Sequence, residues 1–207
     1  MSLARAKKIK VILFDVDGVL TDGTIWFFPA PGGGEQKSAI MAATEARGSA
    51  VLSVNLIEAK GFNAHDGTGI TLARLAGLKV GIITKRNSET VALRARDLKI
   101  DLVYQGQADK SATLDKIMAR EGITAKEVAF VGDDIVDLPI MRRCGLAIAV
   151  KNSRPEVLKE AHYVTRNPGG HGAARDAIEY VLRAQGRLNK ILKDYINSRP
   201  AEQEQMG

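Results

Sequence analysis

The chain has 207 residues, 45% of them hydrophobic, enough to bury one full core as a single domain with some elaboration. Its formal charge of +6 includes no Lys/Arg block and no basic–aromatic interleaving, which argues against a nucleic-acid partner, and no apolar stretch approaches the roughly 20 residues of a membrane span. Residues 1–8 do not read as a signal peptide and the one cysteine, Cys144, has no partner for an internal disulfide, so a cytoplasmic home is expected.

Apolar runs alternate with helix-spaced segments along most of the chain, the pattern of a β-α layered fold. A first strand is predicted over 10–15, ending in Asp15 and followed by Asp17 and Gly18. Residues 24–62 break the alternation: Trp26, Phe27 and Phe28 start a strand, and prolines and three consecutive glycines then impose a turn. Within this stretch 38–47 is helix-friendly and 50–57 resembles an exposed strand. A helix over 69–76 stops at Gly77, a strand covers 79–84, and a helix over 88–98 opens on Ser88 with Glu89 in its first turn. Then come strand 101–105, helix 110–121, strand 127–132, helix 136–143, strand 146–150, helix 154–160 and strand 162–165. One long helix is expected from Ala173 to about Asn197, interrupted at Gly186, and 199–207 reads as a disordered polar tail. The domain reading is therefore 1–198, with the elaboration at 24–62, plus the tail.

Continuous apolar runs are the mark of parallel strands buried on both faces, and ligands bind at the carboxyl ends of such strands. Asp15, Thr84 and Asp133 stand at three of those ends, and Lys110 opens the segment after a fourth. Acid, hydroxyl, ammonium and acid meeting in one crevice suit phosphoryl transfer. A carboxylate nucleophile attacking a dianionic phosphate needs a cation between the two, and magnesium takes oxygen ligands of this kind. Asp15 can give one oxygen to the metal and aim the other at phosphorus. Asp17 can give the metal its carbonyl and turn its side chain to the leaving oxygen for acid–base work. Asp133 completes the metal set, so the expected ligands are Asp15, Asp17 and Asp133, with Asp134 and Asp137 as outer-sphere groups or alternatives. Thr84 offers hydroxyl and backbone N–H to the phosphoryl oxygens, and Lys110 a positive charge. Cys144 reads as a packing residue.

Residues 14–23, 62–70, 104–110, 131–137 and 162–175 together resemble the haloacid dehalogenase superfamily of phosphatases, and most closely its 3-deoxy-D-manno-octulosonate 8-phosphate phosphatases. The resemblance implies a Rossmann-like parallel sheet with helices on both faces and no separate cap domain. It implies magnesium dependence, attack by Asp15 to give an aspartyl-phosphate, and Asp17 as acid and base. Substrate contacts from Asn63, Arg86, Arg94 and Lys110 are implied as well. So are a phosphorylated sugar acid as substrate, a role in lipopolysaccharide biosynthesis, and a homotetramer in which a protruding β-hairpin packs on its neighbours. Residues 24–28 and roughly 57–62 match the hairpin legs. The chain departs from the pattern in an insertion of about 25 residues at 29–56, in Thr71 and His171 where arginines are usual, and in Lys85 between Thr84 and Arg86. Read without the resemblance, Asn63 would only shape a turn, and Arg86 and Arg94 would be surface charges. Two other functions fit the same acidic pattern: a receiver-like phospho-aspartate module, and a weakly active accessory domain of the kind fused to cytidylyltransferases.

Overall fold

The computed structural model describes residues 2–29 and 56–198. Strand β1 (Val11–Phe14) is buried at every position and lies between β4 (Lys79–Ile83) and β6 (Val128–Gly132), parallel to both. Outside β4 lies β5 (Leu102–Tyr104), and outside β6 lie β7 (Leu146–Ala149) and β8 (Tyr163–Val164). The sheet order is β5-β4-β1-β6-β7-β8, parallel throughout. These are the six strands anticipated, each shorter than or equal to its predicted span. The α/β fold with a parallel sheet is therefore as expected.

Alternate residues of each strand feed opposite faces, because the side-chain period of a strand is two. Ile12 and Phe14 pack with Ile70, Val91 and Ile178 in one core, whereas Val11 and Leu13 pack with Leu114, Ile140 and Val157 in the other. The first core is covered by α1 (Ser2–Ala6), α2 (Ala64–Leu75), α3 (Glu89–Asp97), α7 (Ala173–Ala184) and α8 (Leu188–Asn197), the second by α4 (Lys110–Glu121), α5 (Leu138–Met141) and α6 (Pro155–Glu160). After β1 the chain runs outward through β4 and β5, then returns to β6 on the other flank of β1. The reversal point, where such sheets open a crevice, falls at the carboxyl end of β1.

Two helix boundaries differ from the periodicity, and a third break falls where it was expected. Helix α2 begins at Ala64, five residues earlier than expected, capped by the Asn63 side chain accepting from the His65 N–H at 2.8 Å. Gly67 and Gly69 lower the local helix propensity, but a Cβ at Gly69 would lie 3.0 Å from Arg175 Cα, so the glycine permits close packing of α2 on α7. The 136–143 segment is a 3₁₀ turn at Ile135–Asp137 followed by the short α5. The expected interruption of the C-terminal helix at Gly186 divides it into α7 and α8, because Gly186 takes a left-handed φ of 69°.

A separate antiparallel pair, β2 (Trp26–Pro29) with β3 (Leu56–Ala59), sets Phe28 opposite Ile57. This is the expected hairpin. Trp26, Phe27, Phe28 and Ile57 are all exposed on it. The helix-friendly piece at 38–47, nearly all of the strand expected at 50–57, and the 199–207 tail lie outside the described residues.

Candidate active site

Asp15 follows β1 directly, with its backbone N–H donating to Val131 O at 3.0 Å, so the ladder between β1 and β6 carries it to the crevice. The next turn contains Gly18 at φ 94°, where any Cβ would lie 2.2 Å from Asp133 Oδ2. Only glycine satisfies both the left-handed backbone and that approach. Gly132 ends β6 under a steric constraint alone, since a Cβ there would meet Asp137 Oδ2 at 2.6 Å.

The missing side chains bring three carboxylates together. Asp15, Asp133 and Asp137 each place an oxygen within 4.8 Å of the others. Lys110, the first residue of α4 beyond its cap Asp109, sends a buried ammonium between them. Its Nζ is 2.8 Å from Asp15 Oδ1 and 2.6 Å from Asp137 Oδ1. Asp137 has both oxygens engaged, because Oδ2 accepts the Asp133 N–H at 3.0 Å. It thereby braces the loop and Lys110.

The charge is unbalanced. Three carboxylates face one ammonium, an excess of two negative charges when all are ionised. Burial pushes the Asp15 carboxyl up to about 6, with Lys110 pulling against it and Asp137 adding to it. Burial also pushes Asp133 up to about 7, helped by Asp15, Asp137 and Asp134. Lys110 is held above the usual lysine range: burial favours the neutral amine, but Asp15 and Asp137 outweigh it. The Asp133 Oδ1 atom is buried without a hydrogen-bond partner. An orphaned carboxylate oxygen beside that charge excess fits a divalent cation with oxygen preference. Asp15 and Asp133 could hold it.

Asp17 lies beside this cluster rather than in it. Its Oδ1 accepts a hydrogen bond from Lys60 Nζ, whose side chain is fully buried, and Arg86 Nε stands 3.8 Å from Oδ2. With the side chain so turned, only its backbone carbonyl is left for the ligand role expected of Asp17. Thr84 follows β4 directly and is buried, but its N–H donates to Tyr104 O at 3.0 Å. The expectation that this N–H would serve a phosphoryl group is therefore corrected: the β4–β5 ladder consumes it, and the hydroxyl remains. Thr84 O accepts from Gln107 N–H at 3.0 Å, tying β4 to the loop that delivers Lys110.

A family model for haloacid dehalogenase-like hydrolases matches residues 74–175. The 3-deoxy-D-manno-octulosonate 8-phosphate phosphatase of Escherichia coli K12 is 36% identical over 188 residues, 91% of this chain and 87% of that protein. The chain belongs to the haloacid dehalogenase-like phosphatases. Solved structures agree. A probable YrbI family phosphatase from Pseudomonas syringae superposes with a TM-score of 0.79 at 38% identity, covering 95% of this chain and 98% of that one. The 3-deoxy-D-manno-octulosonate 8-phosphate phosphatase of Moraxella catarrhalis, solved with magnesium, phosphate and 3-deoxy-D-manno-octulosonate (KDO), has a TM-score of 0.78 at 31% identity, covering 93% and 97%.

The remaining candidate contacts of this haloacid dehalogenase-like phosphatase are not all in the crevice. Arg86 reaches it, between Asp17 and Glu58. Arg94 instead pairs with Asp97 at 2.6 Å, lies over the Phe62 ring at 5.9 Å and flanks a small apolar cavity with Leu20, Ile70 and Val91. Asn63 caps α2 and donates to Gly170 O at 3.3 Å, so both ends of its amide are occupied. The glycine loop it holds packs on the first-strand turn, with Gly170 N–H donating to Val19 O at 3.0 Å. Thr71 bonds back to Gly67 O within its own helix, and His171 Nδ1 sits 2.9 Å from Gly169 O. Sequence reasoning passed over Glu58 and Lys60. The only signal was their spacing of two on a hairpin leg, which sets both side chains on one face.

Proposed function

We infer that the protein is a magnesium-dependent phosphoric monoester hydrolase that cleaves a small phosphorylated sugar acid, 3-deoxy-D-manno-octulosonate 8-phosphate or a close relative, through an aspartyl-phosphate on Asp15. The observation that carries the reading is the Lys110 bridge between Asp15 and Asp137, set against the orphaned Asp133 oxygen within the same cluster. Likeness over nine-tenths of the chain to phosphatases named for that substrate supports the choice of sugar acid.

Asp15, Asp133 and the Asp17 carbonyl would hold the magnesium, which screens the repulsion between nucleophile and phosphate when bound. Lys110 orients Asp15 and meets charge developing on the transferred group, as does the Thr84 hydroxyl. Asp17 gives a proton to the departing sugar oxygen as the Asp15–phosphorus bond forms. It then takes one from the water that cleaves that bond. Arg86, at the crevice edge, is the candidate for contact with the sugar acid; Arg94 and Asn63 are weaker candidates because both are engaged elsewhere.

The exposed aromatic hairpin supports a homotetramer, and the cytoplasm is the proposed location; no described helix is long and apolar enough to cross a membrane. Released phosphate, read over a panel of phosphorylated sugars and sugar acids with magnesium, tests the proposal. Turnover concentrated on eight-carbon acid phosphates is expected. No release from any of them by an intact oligomer would favour the accessory-domain reading instead.

A further inference from the structure

Lys60 has no part in the phosphatase scheme, yet its ammonium is buried and its carboxylate partner is Asp17. Burying a lysine side chain completely is unfavourable unless the charge is paired and hydrogen-bonded. The residue is also held from behind. Two positions earlier on the same face, Glu58 accepts from Ser88 Oγ and from Arg86 Nη2 at 3.4 Å, and its backbone carbonyl accepts from Thr90 Oγ1 at 3.1 Å. The returning leg of the hairpin is thus fastened to the β4–α3 loop at Glu58 and to the first-strand turn at Lys60.

We propose that Lys60, kept in register by Glu58, is a positioning residue for the acid–base step: it holds Asp17 Oδ1 so that Oδ2 is the oxygen that faces the leaving group. The proposal rests on the phosphatase reading above. An aspartate joined to the chain by two rotatable bonds has several rotamers, and a proton donor works only within hydrogen-bond reach of the departing oxygen. Arg86 Nε, 3.8 Å from Oδ2, lies too far for a hydrogen bond to occupy that oxygen. Lys60 supplies the constraint from one side only.

The step being positioned sets the test. Departure of a sugar alkoxide needs its proton, whereas departure of p-nitrophenolate scarcely does. Lys60→Met should lower kcat/KM for sugar-acid phosphates by about tenfold or more, with a much smaller loss on p-nitrophenyl phosphate and little change in KM. Lys60→Gln is the second variant, and turnover of the aryl substrate reports that either variant has folded. In an Asp17→Asn background the Lys60 substitution should add almost nothing, because the two residues act as a unit. Equal losses on both substrates, an additive loss in the Asp17→Asn background, or a rise in KM alone for the sugar substrate would each overturn the proposal. The last outcome would make Lys60 a substrate ligand. A wild-type protein inert on both substrates removes the phosphatase reading and this proposal with it, a result distinct from the others.

Discussion

At the scale of single residues the site is a problem in electrostatics. Asp15 and Asp133 titrate in the fold near 6 and 7, above their ordinary value of 3.8. A carboxyl whose folded pKa is raised binds its proton more tightly folded than unfolded. The site therefore destabilises the metal-free protein above about pH 7, and that penalty fades as pH falls from there toward 4. Magnesium should raise the melting temperature clearly at pH 8 and much less at pH 5.5, where protons compete for the same oxygens. Asp133→Asn should melt higher than wild type without metal at pH 8 and lose the response to magnesium; an unchanged response would remove Asp133 from the metal set. Lys110→Ala leaves Asp15 and Asp137 facing each other without their cation, and about 3 kcal/mol of transition-state stabilisation should go with it; a loss in kcat/KM below tenfold would contradict its role. These residues were legible from sequence because strand ends converge in a parallel sheet, so order along the chain translated into proximity. Lys60 was not, since its pairing with Asp17 depends on how a hairpin leg folds back. The Thr84 N–H was misjudged because a strand-end amide looks free until the neighbouring strand is in place.

At the scale of elements, the six strands could be read because strands buried on both faces leave unbroken apolar runs. The helices were blurred where glycine serves packing rather than breaking. Gly67 and Gly69 sit inside α2 because α3 and α7 approach there, and propensity alone cannot see a neighbour. Gly186 acts in the opposite sense, and its left-handed φ divides α7 from α8. Gly186→Ala should cost about 1 kcal/mol of stability, read by denaturant unfolding, and leave turnover unchanged. Gly169→Ala should behave differently. Its Cβ would fall 1.7 Å from Gly18 O, so the glycine loop must withdraw from the turn that carries Asp17. Activity and melting temperature should drop together, and a fully active Gly169→Ala would show that the loop contact is dispensable.

For the whole molecule, sequence pointed to layers and a hairpin, but not to the strand order that sets β1 at the centre with its switch point beneath Asp15. The hairpin leaves Trp26 and Phe28 more than half exposed, at 57% and 51%, an apolar surface that suits contact with other copies. Under the proposed homotetramer, Trp26→Asp with Phe28→Asp should lower the mass measured by light scattering toward that of a monomer, and an oligomer unchanged by both would place the interface elsewhere. None of this bears on the chemistry as directly as one mass measurement. Single-turnover reactions with magnesium and 3-deoxy-D-manno-octulosonate 8-phosphate, quenched in acid within milliseconds, should yield an intact chain one phosphoryl group heavier, with the group mapped to Asp15 and absent in Asp15→Asn. Phosphate released with no phosphorylated chain at any time, or with the group on another residue, would contradict the account.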